Sequence, residues 1–568
     1  MKNLEIARIF YDIADMLDFQ GVSFKPEAYR RAARNLESMS QDLEVVWKQG
    51  KLALLPGIGK AMVKKIEEYM LEGSMEYYEK LKTEVPKGVL EIVEIQGVGP
   101  KTAKLLYDRL GIETVEQLKD AATSGRIQGL KGLGPKKGEN ILRGIELKAA
   151  TRGRKLLGEA VPLVETIVEY MTLHAPVQSI NVAGSVRRMK ETVGDIDILV
   201  TSASRREVME AFINMPNVRE VLLKGNTKAS VILKEEIQTD IRVLDEDSFG
   251  SALLYFTGSK DHNIQLRNLA IEKGLKLSEY GVFRGEERIA GSTEQDVYDT
   301  LGLEYIEPEL REAQGEVEAA LDGGLPHLVA QADIRGDLHV HTDWTDGHES
   351  LRDMVEAAKA RGYEYVGISD HSKSLYIAGG IKDDEIRMQM AEVRRLRRDV
   401  EGIDILHGAE VDIKDDGELD FEDDILRELD YVIAAVHSKF KMQEEKMTER
   451  VVTAMENEHV DILAHPTCRL ISEREPVALD MNRVIDAAVE TRTSLELNSF
   501  VTRLDLNGSY ARAAKEGGAK LVINTDSHAT RHLDMMKFGI GQARRGWLEP
   551  SDVINTMRHG DLLSWLQS

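Results

Sequence analysis

The sequence predicts a multidomain α/β protein: a helical N-terminal region, a mixed α/β middle, and a C-terminal barrel-like parallel sheet. Three observations carry this expectation. The chain has 568 residues, too many for one hydrophobic core when a domain takes roughly 100–200 residues. Residues 1–150 read as amphipathic helices joined by glycine turns. From Asp337 onward, seven short β-rich runs alternate with helical stretches.

In the first part, IARIFYDIADML and AMVKKIEEYML carry apolar residues at helical spacing. One short pattern occurs three times: LPGIGK at 55–60, IQGVGPK at 95–101 and LKGLGPKK at 130–137. Two glycines two residues apart permit a tight turn that other residues resist. The helix that follows offers unpaired N–H groups, and these with a nearby lysine suit a phosphate. Such contacts hold a nucleic-acid backbone without reading its sequence. Gly57, Gly59, Gly97, Gly99, Gly132 and Gly134 are the turn residues, with Lys60 and Lys101 beside them.

The middle contains AGSVRRMKETVGDIDILV at 183–200. Asp195 and Asp197 are two apart on a strand, so both side chains point to one face. Paired carboxylates repel unless a cation lies between them, and Mg²⁺ suits a few carboxylates completed by substrate phosphates. A third acid on a neighbouring strand allows two metals to clamp an in-line phosphoryl transfer. Asp240 in IQTDIRVL is that acid. Gly184 and Ser185 offer backbone and hydroxyl donors to a triphosphate, and Arg187 or Arg188 adds charge.

The last part holds 11 of the 14 histidines. DLHVHTDWTDG supplies His339, His341 and Asp346, and SDHS supplies His371. Glu410, His437 and His465 follow in HGAEVDI, AAVHS and AHP, then Asp526 and His528 in TDSH. These nitrogen and oxygen ligands suit Zn²⁺, Mn²⁺ or Fe. They stand at the C-terminal ends of successive predicted strands, where barrels of this kind place active sites. His348, His407, His459, His532 and His559 fall outside the pattern.

The net charge of -24 excludes a uniformly basic nucleic-acid-binding surface. Residues 1–150, however, carry 24 basic against 22 acidic residues, so any grip on DNA is local. No apolar run approaches the ~20 residues of a membrane span. The acid-containing N-terminus argues against a signal peptide. The single cysteine, Cys468, fits a reducing cytoplasm.

The three hairpins resemble the helix–hairpin–helix elements of DNA repair proteins. With the GS and GDID motifs, YFTGS at 255–259 and SEY at 278–280, residues 1–307 resemble a family X DNA polymerase, the group of DNA polymerase beta. The resemblance implies that Asp195, Asp197 and Asp240 bind two Mg²⁺ and that Asp240 helps activate the primer 3′-hydroxyl. It implies that Ser185, Arg188 and Gly194 hold the incoming triphosphate, and that Tyr255, Phe256 and Gly258 form a turn beside the sugar. Asn263 and Arg267 match positions near the nascent pair and template. Lys260 replaces an acid common in that group. A lyase lysine of the family maps to Lys65, with Tyr29 nearby.

Residues from about 335 to 568 resemble the polymerase-and-histidinol-phosphatase (PHP) domain, which implies a (β/α)₇ barrel with a trinuclear metal site. In that site His339, His341, Glu410 and Asp526 would hold one metal. Glu410, His437 and His465 would hold a second, and Asp346, His371 and His528 a third, as Mn²⁺ or Zn²⁺.

The implied organisation is a helical DNA-binding, lyase-like subdomain at 1–82, a fingers-type subdomain at 83–150, a nucleotidyltransferase palm at 151–243, an α/β thumb at 244–315, a linker at 316–334 and the PHP domain at 335–568. The implied function is short-gap filling in DNA repair, with gapped or primer-template DNA and dNTPs as partners, no membrane, and a monomeric state. The PHP domain would act as a 3′–5′ exonuclease or phosphoesterase. Two alternatives stand beside this reading: a nucleotidyltransferase acting on RNA or a small molecule, and a non-catalytic repair scaffold.

Overall fold

The computed structural model describes residues 2–38, 43–55, 57–93, 95, 98–127, 129–130, 133–151 and 154–567. The hairpin residues Gly97 and Gly132 lie outside the described residues.

The N-terminal region is helical, and its buried residues, among them Ile6, Phe10, Ile13, Leu36, Ile66, Leu106 and Ile141, form one core. Each glycine hairpin opens a helix: α1 (Lys60–Glu72), α2 (Pro100–Leu110) and α3 (Pro135–Thr151). Pro100 occupies the first turn of α2, where its missing N–H costs nothing. The glycines that end α1 and α2, Gly73 and Gly111, take left-handed conformations and close the helices.

The middle is built on a five-stranded sheet. Its strands are β1 (Ser179–Val182), β2 (Asp195–Thr201), β3 (Val218–Lys224), β4 (Lys228–Leu233) and β5 (Gln238–Leu244), in the order β1-β2-β5-β4-β3. Only β2 and β5 pair in parallel, at the centre, and Asp197 lies opposite Asp240 in their register. The alternate residues Ile196, Ile198 and Val200 point into the core beneath, with Ile241 and Val243. Then come α4 (Phe249–Thr257), α5 (Lys260–Glu272) and an antiparallel three-stranded sheet, β6 (Lys276–Ser278), β7 (Gly281–Arg284) and β8 (Glu287–Ala290).

The segment 316–334, expected to be a linker, is packed instead. Its helix α6 (Glu316–Asp322) sends Val317 and Ala320 into the core that also holds Leu254, Leu266, Val297 and Tyr298. Glu316 at the start of α6 accepts from the buried His262 on α5 at 2.7 Å. Val329 N then donates to Leu548 O at 2.9 Å, which fastens the segment to the C-terminal part.

The C-terminal part is a seven-stranded parallel sheet in sequential order. Its strands are β9 (Gly336–Val340), β10 (Tyr365–Ile368), β11 (Asp404–Asp412), β12 (Tyr431–Ala435), β13 (Ile462–Leu463), β14 (Ser494–Asn498) and β15 (Leu521–Asn524). A bridge between Val340 and Ser527 joins the last strand to the first and closes the barrel. The strands are buried on both faces, as helices on the outside require, and Tyr431–Ala435 shows this throughout its length. After β15 the chain forms α7 (Met536–Arg545). Phe538 of this helix, with Leu504, enters the core of the middle sheet, so the barrel and that sheet share apolar packing.

Candidate active sites and nucleic-acid interface

The described residues of the three hairpins share one hydrogen bond. The apolar residue between the glycines is buried, and its N–H donates to the carbonyl three residues back: Ile58 to Leu55 at 3.2 Å, Val98 to Ile95 at 2.8 Å and Leu133 to Leu130 at 3.0 Å. The buried residue pins the turn, while Gly59, Gly99, Gly134, Lys60 and Lys101 stay exposed. Gly57 has φ of +69°, and a Cβ there would meet Asn35 Nδ2 at 2.8 Å, so only glycine fits. The repeated turn leads three helix N-termini outward, an arrangement able to hold phosphates.

Pairing of β2 with β5 aligns Asp197 with Asp240. Asp195, two residues before Asp197, extends the same face and is exposed at the edge of the strand. Burial, then the charges of Asp195 and Asp240, push the Asp197 carboxyl up to about 6. A divalent cation relieves this repulsion, so the donor set fits one. Asp240 goes the other way. Burial would raise it, but bonds from Lys228, Gln238 and Ser230 hold it below the usual carboxylate range. Lys228 Nζ lies 2.5 Å from Asp240 Oδ2, and Gln238 Nε2 donates to Oδ1 at 3.0 Å. Sequence reasoning missed both partners: Lys228 sits on the neighbouring strand β4, and Gln238 two residues before the acid on β5 itself.

The turn between β1 and β2 brings Gly184 against Asp197. With φ of +63° at Gly184, a Cβ would come to 2.9 Å from Asp197 Oδ2. Ala183 N donates to Asp197 O at 2.8 Å, tying this turn to the acid-bearing strand. Ser185 follows Gly184 in the short helix Gly184–Arg187, and Gly194 lies just before β2. The two arginines are both engaged. Arg187 makes a two-pronged contact with Glu294 at 2.8 and 2.6 Å, and Arg311 meets the same carboxylate at 2.6 Å. Glu294 is held down to about 2: burial opposes this, and the two arginines overcome it. Arg187 is therefore committed to the fold. Arg188 Nε donates to Glu312 at 3.0 Å, and its Nη1 donates to Thr257 O.

Thr257 ends α4, beside the predicted sugar-side turn. Tyr255 and Phe256 meet edge to face at 5.1 Å, Phe256 lies under the Arg242 guanidinium, and Gly258 packs against Arg188. Asn263 Nδ2 donates to Tyr255 O at 2.7 Å, and with Arg267, Ser251, Leu277 and Ser278 it lines a small cleft. Gly184 thus lies against Asp197, Gly258 against Arg188 and Asn263 against Tyr255.

In the barrel, all nine predicted ligands converge. His339 on β9 and His341 just after it are fully buried, with Nε2 atoms 3.3 and 3.6 Å from Glu410 Oε2. Asp526 Oδ1 lies 3.7 and 3.2 Å from the same two nitrogens. Glu410 is the hub: His371 Nδ1 reaches its Oε2 at 2.8 Å, while His437 and His465 Nε2 reach its Oε1 at 3.3 and 2.9 Å. Asp346 Oδ1 faces His371 and His528 Nε2 at 3.6 and 3.5 Å. Among the described residues, three groups bring their ligand atoms within 4.8 Å of one another: His341, Asp346, His371 and His528; His339, His341 and Asp526; His371, Glu410 and His437. The grouping differs from the expected one, because His341 and His371 each face two groups. The palm aspartates are more open and belong to none of these groups.

Metal ions fit the barrel cluster. His339 Nε2, both ring nitrogens of His341 and Asp346 Oδ1 are buried without a hydrogen-bond partner. That many orphaned polar atoms in one cavity cost too much to remain uncompensated. A supporting layer orients the ligands, and the sequence reading missed it. Glu496 accepts from His339 Nδ1 at 2.7 Å, Asp412 from His437 Nδ1 at 2.6 Å, and Asn498 donates to Asp526 at 3.1 Å. Carboxylates behind ligating histidines fix the ring tautomer, and the strand acids Asp412 and Glu496 were the signal that could have found this layer.

Lys65 lies on α1, its Nζ 4.4 Å from the centre of the Tyr77 ring. Tyr77 in turn stacks on the buried Tyr29 at 6.4 Å. The Lys65 amine is held below the usual lysine range, first by burial and then by Lys25, while Glu68 opposes the shift.

Comparison with known proteins places these sites in a family. Models described as helix-hairpin-helix domain and SAM-like helix-hairpin-helix tandem match residues 1–75 and 89–147. The DNA polymerase beta thumb matches residues 252–312, and the PHP domain matches 337–499. The DNA polymerase/3'-5' exonuclease PolX of Bacillus subtilis is 39% identical over 572 residues, covering 100% of both chains. DNA polymerase lambda of Arabidopsis thaliana is 30% identical over 54% of this chain and 62% of its own. A probable phosphatase of Shewanella sediminis is 31% identical over 35% of this chain and 79% of its own. The chain belongs to the family X DNA polymerases that carry a C-terminal PHP domain.

Proposed function

We propose that the chain is a DNA-directed DNA polymerase that fills short gaps during repair, and that its barrel is a 3′–5′ exonuclease. The observation that carries this reading is the pairing of Asp197 with Asp240 beside the Gly184–Ser185 turn, in one chain with the nine-ligand cluster. The hairpins hold the DNA backbone through Gly57, Gly59, Lys60, Gly99, Lys101 and Gly134. Gly184, Ser185, Arg188 and Gly194 receive the triphosphate, and Tyr255, Phe256, Gly258 and Asn263 bound the nucleotide, with Arg267 toward the template. Asp195, Asp197 and Asp240 would hold two Mg²⁺, which when bound neutralise charge on the transferring phosphoryl group. Asp240, kept ionised by its neighbours, would help activate the primer 3′-hydroxyl.

The nine barrel ligands would hold up to three Mn²⁺ or Zn²⁺, which supply Lewis-acid activation for phosphodiester hydrolysis. Within the barrel the side chains orient the ligands and exclude bulk water from the buried rings. No helix of the described residues is long and apolar enough to cross a membrane. A monomer working in the cytoplasm completes the proposal, and the boundaries at 82, 150, 243 and 334 divide its working parts, with 316–334 packed into the part before it. Incubation with a gapped duplex and dNTPs tests the reading: the primer should be extended to the end of the gap, and no extension would overturn it.

A lyase step at Lys65 is a second reading, favoured by the partly buried amine against Tyr77. Schiff-base formation needs a neutral amine, and desolvation supplies one more readily than an exposed lysine does. Borohydride trapping on DNA with an incised abasic site should give a covalent adduct that is lost in Lys65→Ala and kept in Lys64→Ala. An adduct retained in Lys65→Ala, or none from the parent under conditions where it binds that DNA, would leave Lys65 as a phosphate contact.

A further inference from the structure

The turn that carries Ser185 and Arg188 is fastened from behind by the barrel. Arg545, the last residue of α7, donates to Arg188 O at 2.8 Å. Gln542, one turn earlier and fully buried, donates to Met189 O at 2.8 Å. Arg469 grips Glu191 with contacts of 3.2 and 2.7 Å. Met189 takes a left-handed φ of +53°, a conformation its side chain does not favour. Its side chain lies so close to Gly541 that a Cβ there would meet it at 3.0 Å.

One carboxylate links this support to the nucleotide surface. Glu312 Oε1 accepts from Arg188 Nε and from Arg545 Nη1, both at 3.0 Å, and Lys190 Nζ is farther away at 3.7 Å. The three paired side chains are nearly buried, at 13% for Arg188, 14% for Arg545 and 16% for Glu312. An arginine that binds a triphosphate has to turn from Glu312 toward it. Stripping a buried carboxylate of its partner is costly, because an uncompensated charge is left behind. Arg545 removes that cost by staying on Glu312 when Arg188 leaves.

We infer that the barrel domain forms the fixed back wall of the nucleotide-binding turn, and that Arg545 and Gln542 are positioning residues which set the affinity for the incoming dNTP. Arg545 holds the backbone of Arg188 and keeps Glu312 compensated, and Gln542 holds the strained Met189. The inference rests on residues 184–188 binding the triphosphate, as proposed above.

The test measures kcat and KM for dNTP on a gapped duplex, and nuclease activity on a single strand, with full-length variants. Arg545→Ala should raise KM on the order of 10-fold, equivalent to about 1.4 kcal/mol, with kcat within about twofold and nuclease activity unchanged. Arg545→Lys should restore KM to within about threefold of the parent, since an ammonium still reaches Glu312. Gln542→Ala should raise KM in the same direction. Glu312→Gln should act oppositely and lower KM, because a neutral amide competes less well for Arg188. Arg188→Ala separates the two layers of argument. If it leaves KM unchanged, the assignment of the turn fails. If it raises KM while Arg545→Ala and Gln542→Ala do not, or if Glu312→Gln raises KM as Arg545→Ala does, the supporting role of the barrel is overturned.

Discussion

Asp240→Ala should add nucleotides at least ~10³-fold more slowly than the parent while still binding gapped DNA. A carboxylate that holds a metal acts on the charge of the transition state, and losing such a clamp costs several kcal/mol of barrier, on the order of 10³-fold or more. Asp240 is also the acid that opposes Asp197 across the central parallel pair, so its removal takes one wall from the site. DNA binding should persist because the hairpins are elsewhere, in a region with its own core. Asp240→Asn keeps the shape and the bond from Gln238, and it should be nearly as slow. Primer extension under saturating dNTP gives the first number and gel retardation the second. Extension within tenfold of the parent would remove Asp240 from the catalytic set.

The double change His339→Ala, His341→Ala should abolish the nuclease and leave polymerisation within about twofold. Both rings are fully buried and face Glu410 and Asp526, so their loss dismantles one ligand group and part of a second. Removing a ligand typically costs far more than the 10–100-fold of a supporting residue, and two together should leave no measurable hydrolysis. Polymerisation should survive because contact with the palm runs through α7, Arg469 and Leu504, none of which carries a ligand. Equal loss of both activities, in a variant that melts near the parent temperature, would show the ligand cluster to be coupled to the polymerase site.

The elements of the fold that repeat locally were legible in the sequence. Each glycine hairpin announces itself because a tight turn needs glycine wherever it occurs, and six of the seven barrel strands because an apolar run leads to a ligand. The seven-stranded order follows from those same runs. The acid pair on β2 was readable from the period of a strand alone. What escaped was nonlocal. Lys228 comes to Asp240 only after β4 pairs with β5, and Glu496 comes to His339 only after the barrel closes. The segment 316–334 looked like a linker because its glycines and acids resemble one, yet Val317, Ala320 and His262 bury it. Lys65 shows the same limit. Its proton is loosened by burial against Tyr77 and by the charge of Lys25, neither of which is its neighbour in sequence.

The engaged arginines carry a similar lesson. Arg187 and Arg188 are adjacent in the chain and equivalent in charge, so sequence alone leaves open which one serves the triphosphate. Glu294 settles Arg187 into a buried ion network with Arg311. Arg188 holds only Glu312 and the carbonyl of Thr257, beside the cleft that Asn263 lines. Its partner is shared with the barrel, and this makes Arg188 the one able to leave.

The most direct test of the whole account uses one labelled gapped duplex and the purified full-length chain, with and without dNTPs, first in Mg²⁺ and then in Mn²⁺. The account predicts extension to the end of the gap when dNTPs and Mg²⁺ are present, and stepwise 3′ shortening in Mn²⁺ when dNTPs are withheld. A chain that binds this duplex yet neither extends nor shortens the strand in either metal would contradict it.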